Sequence, residues 1–181
     1  MRTRLPVLGL TMLAAACSGP AQEEVPPPPT LHKSMTSTIE PGSELIQNAG
    51  IDLHNEEGEL DATQLSDERW SRVAEAAAEI ELVAVAFANA EEVTVASTGT
   101  TLLNEGQGNA ASMADVRAYI DADPEGLKTE FRALAAAAQG VGLAAESRDA
   151  QALDEAIIDL TDTCTSCHNK FWYEQDAPEE S

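Results

Sequence analysis

Near the end of the chain two cysteines and a histidine stand in the order Cys164-Thr165-Ser166-Cys167-His168. On a helix, residues three apart share a face about one turn from each other. Two thiols so placed can reach neighbouring points on one edge of a flat ligand, and the imidazole that follows can coordinate a metal at its centre. This is the C-x-x-C-H pattern of covalent haem c attachment. Two other chemistries use the same residue types. A structural zinc site takes four ligands, and the chain has no second cysteine pair. A thioredoxin-like dithiol sits in a βαβ setting, whereas the residues around this motif repeat at helical spacing. One haem c, bound through Cys164 and Cys167 with His168 on the iron, is the reading that remains.

The elements that must position these residues are legible as stripes. Apolar residues step by three and four in Trp70, Val73, Ala77, Ile80, Ala84 and Phe87, a helix starting near Ser66. A third helix opens with Asp123 as cap and Pro124 at the first helical position, and carries Leu127, Phe131, Leu134, Ala138, Val141 and Ala145. A fourth starts at Asp149 and runs through Leu153, Ile157, Leu160, Cys164, Cys167 and Phe171. The first helix, from Thr30, shows His32, Met35, Ile39, Gly42, Ile46 and Ala49 in the same rhythm, with a kink or break expected at Pro41, which lacks a backbone donor. Alanine runs at 76–78 and 135–138 add helix propensity. The stripes predict an all-α, antiparallel up-down-up-down four-helix bundle over residues 30–173. The second and third helices are joined by a long insertion, residues 88–122. It is rich in Thr, Gly and Asn over 93–109 and then forms a short helix from Ser112, with Asp115 completing a capping box.

A four-helix bundle with C-x-x-C-H near the end of its last helix resembles the class II c-type cytochromes, the cytochrome c-prime group. Thirteen residues follow His168, and Phe171 supplies the aromatic three residues after the histidine. Leu31-His32-Lys33-Ser34-Met35 and Trp70 resemble a proteobacterial branch of that group. The long insertion and Trp172, near where a basic residue is common, depart from the family pattern. The resemblance implies an axial methionine on the first helix or an open iron site, and a homodimer through the first two helices.

In an up-down-up-down bundle the end of the fourth helix meets the start of the first, so Met35 shares an end with His168 and is the expected sixth ligand. His32, one turn away, and Met113, after the insertion, are the alternatives, as is an open site. His54 falls beyond the far end of the first helix and reads as a surface residue. Phe87, Leu127, Phe131 and Phe171 converge on the haem end as walls, while Trp70 packs the opposite end. With both axial positions filled, the expected function is periplasmic electron transfer rather than catalysis. A five-coordinate site would instead bind nitric oxide or carbon monoxide.

The remaining segments concern address and partners. Residues 1–16 hold Arg2, Arg4 and an apolar run too short to span a bilayer, ending in small residues before Cys17: this resembles a lipoprotein-type signal peptide with Cys17 as the acylated N-terminus, the alternative being ordinary signal cleavage with Cys17 removed or left free. Residues 17–29, with four consecutive prolines, form an extended spacer, and residues 174–181 form an acidic tail. These features point to a periplasmic lipoprotein anchored to the inner or outer membrane. The formal charge of −22 excludes nucleic acid, which requires clustered Lys and Arg. It suits solubility in a salty habitat, or docking of a basic redox partner.

Overall fold

The computed structural model describes residues 29–103, 105 and 107–175. The expected signal peptide, Cys17, most of the spacer and the end of the acidic tail lie outside the described residues. Among the described residues the regular structure is helical: α1 (Leu31–Ser34), a π turn (Met35–Ile39) and α2 (Glu40–Asp52) make one continuous rod, followed by α3 (Asp67–Ala88), α4 (Met113–Ala122), α5 (Pro124–Ser147) and α6 (Ala150–Phe171).

Each long helix starts where a short polar side chain satisfies a free backbone donor. The Ser66 hydroxyl accepts from Arg69 N at 3.2 Å, and Asp67 and Glu68 add negative charge at the positive end of α3. Asp123 accepts from Gly126 N at 2.9 Å, with Pro124 opening α5. Asp149 accepts from Ala152 N at 3.0 Å and starts α6. Ser112 caps α4 through Asp115 N at 3.2 Å, and its hydroxyl donates to the Asp115 carboxylate. The break expected at Pro41 is absent. The rod runs through it because the turn before it widens: Glu40 N bonds Met35 O, five residues back.

The ends of the helices sort into two groups. Leu31 N donates to Thr94 O and His32 N to Val95 O, joining the start of the rod to the chain that leaves α3. Ala111 N donates to Trp172 O and Glu174 N to Asn109 O, joining the end of α6 to the chain that enters α4. At the other end Asp52 pairs with Arg69 at 3.1 Å and Asp67 with Arg148 at 2.9 Å, bringing together the end of α2, the start of α3 and the end of α5. Between α5 and α6 Arg148 adopts the left-handed conformation (φ 55°), and the tight link turns the chain back. These pairings define an alternating, antiparallel bundle.

α3 and α5 pack along their length, as do α5 and α6; the rod lies on α3 and only thinly on α6. Trp70, Val73, Ile80, Phe131, Val141 and Leu153 are buried in the core. Rod and α6 do touch at one place. A Cβ on Gly50 would stand 2.8 Å from Ile157 Cδ1, so the bare backbone there allows close approach. Toward the other end the two diverge, and the space between them is the site.

Candidate functional site

Successive turns of α6 bring Cys164, Cys167, His168 and Phe171 onto one inward-facing strip; both thiols are free and half-buried. They border a cavity of about 380 Å³, within the range of small-molecule and cofactor sites. The rod contributes Met35, Ile39 and Ser43 to its wall; α5 contributes Leu127, Phe131 and Leu134. Glu40, Glu44 and Gln47 form an exposed rim.

Of the residues singled out from sequence, Cys164, Cys167, His168, Met35, Leu127, Phe131 and Phe171 all line this one cavity, as does His32. Phe87 does not. It stacks behind Phe131, ring centroids 4.9 Å apart and 22° between planes, so it backs the wall instead of forming it. Met113 is half-buried against the core and takes no part in the lining. His54 is exposed at the opposite end, its Nδ1 3.1 Å from Gly50 O. Trp70 is buried there too, donating from its indole Nε1 to Ala62 O at 3.3 Å.

The insertion supplies what the sequence reading missed. Val95, Leu102, Leu103 and Val116 complete the cavity wall. Val93, Val95, Leu102 and Leu103 are the large aliphatic residues in an otherwise polar stretch, and that contrast was the available signal. The Glu105 carboxylate accepts from Leu102 N at 3.1 Å and Met113 N at 2.9 Å, tying the insertion to α4. Trp172 and Tyr173, clamped to residues 109–111, set their rings 6.3 and 6.4 Å from the His168 imidazole.

Burial decides the protonation of the chemical groups. It lowers the His168 pKa, only partly opposed by the charge of Glu40, so the imidazole is neutral and has a lone pair to give near pH 7. It raises the Cys164 thiol. Burial, then the charge of Glu130 and the neighbouring Cys164, push the Cys167 thiol up to about 12. Such thiols are poor thiolates, which suits neither disulfide exchange nor a charged ligand role. A thioether carries no charge, so the same burial does not penalise it. Glu130, itself buried in the wall, pairs with Lys170. Ser43 Oγ is buried in the cavity wall without a partner. Among the described residues no cluster of three or more His, Cys, Asp or Glu surrounds the motif, so a multi-ligand zinc site is not assembled there.

A helical bundle holding C-x-x-C-H on its last helix, with both thiols and the histidine on the wall of an apolar cavity, defines a protein built for a covalently attached, flat, apolar, metal-bearing group. The family model described as Cytochrome C' matches residues 61–172, and the chain belongs to that family of c-type cytochromes, which bind haem c covalently. The match takes in α3 to α6 and the Cys164–His168 motif, and the rod with Met35 precedes it. No curated protein and no solved structure matches the chain.

Proposed function

We propose that the protein is a monohaem electron carrier of the periplasm, with His168 and Met35 as the two axial ligands. The observation that carries this reading is that Met35 and His168, on separate helices, line one apolar cavity together with both cysteines. Bound there, haem iron would exchange single electrons, and two side-chain ligands would leave no position for a substrate. The chain's own residues supply the conditions. Burial holds the His168 imidazole neutral. The Met35 thioether is a soft, uncharged ligand that favours the ferrous state and raises the potential. Leu127, Phe131 and Phe171 give the cavity a buried, apolar wall. The ferrous protein should bind carbon monoxide slowly, because Met35 has to leave first. If it binds carbon monoxide on mixing, the site is five-coordinate and the protein is a gas-binding member of its family.

Residues 1–16 support export and Cys17 a lipid anchor, with residues 17–29 as spacer. Among the described residues no helix is long and apolar enough to cross a membrane, so acylation of Cys17 is the attachment proposed. Cys17→Ser should move the protein from the membrane fraction to the soluble periplasm. A soluble wild type with an unmodified N-terminus overturns the anchor.

The partner is a redox protein with a basic face. Glu40 and Glu44 are exposed at the cavity mouth, where Leu103 is 60% exposed. An apolar contact flanked by carboxylates suits a small transient interface, steered by charge over about 8 Å at physiological ionic strength. Reduction by a basic donor should slow as salt rises, and shortening residues 93–109 should change that rate. A rate indifferent to salt over a tenfold range makes the acidity a solubility feature only.

A further inference from the structure

The burial pattern along the rod slips by one residue at the π turn. After Ile39 the buried positions keep the α rhythm through Ser43, Ile46, Ala49 and Leu53. Stepping back from Ile39, the next buried residue is Ser34, five positions away and 2% exposed, not Met35 at four. An α-helix turns about 100° per residue. A regular helix drawn back from Ile39 would put Met35 in the core place that Ser34 now holds and move Thr36, now at the cavity's exposed edge, into the place on the wall that Met35 holds. The additional residue in the π turn rotates everything before it by one step, and Met35 lines the cavity.

Three side chains favour the widened turn. Pro41 has no N–H for the Ser37 carbonyl, and in a regular turn its ring would collide with that carbonyl. Thr36 Oγ1 donates to His32 O at 3.0 Å and Ser37 Oγ to Lys33 O at 2.6 Å, giving upstream carbonyls a donor where the ladder is disturbed. π turns of this kind arise from a single additional residue and are frequent at functional sites.

We propose that Pro41 is a positioning residue for the axial thioether: it sustains the π turn that puts the half-buried Met35 at this place on the wall of the cavity shared with His168, with Thr36 at the cavity's exposed edge. The proposal rests on Met35 as sixth ligand, and the test separates the two. Four haem-loaded proteins are compared: wild type, Met35→Ala, Pro41→Ala, and Pro41→Ala with Thr38 deleted. The readouts are the near-infrared absorption of a thioether–ferric haem bond and the rate of carbon monoxide binding to the ferrous protein. Pro41→Ala lets the turn close to a regular α-turn, so the band weakens and carbon monoxide binds about tenfold faster or more. Deleting Thr38 in that background removes the additional residue and restores the upstream register, so the band returns. A Pro41→Ala protein with the band and rate of the wild type overturns the proposal while leaving Met35 as ligand. So does a double variant no better ligated than Pro41→Ala, because the loss is then general damage to the rod and not its register. A wild type without the band, or a band untouched in Met35→Ala, removes the axial reading itself and this proposal with it.

Discussion

At one end of the bundle Trp70 is 3% exposed, its indole N–H held by a backbone carbonyl, and Gly50 lets the rod close against Ile157. At the other end the same rod and the same α6 stand apart around a cavity of about 380 Å³. Each end has a tryptophan and a histidine. Trp70 is core and His54 is exposed, whereas Trp172 and His168 are half-buried beside the cavity. The difference lies in what joins and fills the helices. The closed end has a two-residue link between α5 and α6 and small residues at the close approach. The open end has the long insertion, which brings Val95 and Leu102 into the wall and leaves space the chain does not fill with its own side chains. Folding stability and chemistry are therefore concentrated in different places, and substitutions should separate them.

The largest effect belongs to the open end. Cys164→Ala with Cys167→Ala should abolish covalent haem, seen as loss of haem mass and colour from the denatured polypeptide. Haem that extracts freely from the wild type contradicts the attachment. Next is the closed end: Trp70→Ala should cost about 3–5 kcal/mol, read by urea unfolding, while the haem spectrum of the folded protein stays as in the wild type. A spectral change as large as the stability loss means the ends are not separable. Smallest is Asp52→Asn, which removes the exposed pair with Arg69. Exposed pairs contribute little, so unfolding should shift by less than about 1 kcal/mol with no spectral change.

What the sequence made legible was local. Ser66, Asp123 and Asp149 start their helices because a cap needs only the next three residues. The C-x-x-C-H spacing needs one turn of α6. Stripe spacing also identified the inward faces of α3 and α5. It gave the face but not the depth, which is why Phe87 was expected in the wall and lies behind Phe131. The insertion was illegible because its packing depends on distant backbone partners, Thr94 and Val95 on the rod and Asn109 to Ala111 on the end of α6. The π turn was half legible. Pro41 announced a disturbance, but a break and a widened turn share that signal, and only the slip from Ile39 to Ser34 tells them apart. Met35, expected at the haem end of the inward stripe, does line the cavity there, but the one-residue slip that separates it from Ser34 was not legible.

The central claim is that Met35 sits on the iron opposite His168. Proton NMR of the ferrous protein, with methionine methyl groups isotopically labelled, tests it most directly. A methyl group held against the haem face lies in the ring's shielding cone. The account predicts one methionine methyl shifted far upfield of the ordinary methyl region in the wild type and absent in Met35→Ala. Methionine methyls all at ordinary positions in the ferrous wild type would contradict it.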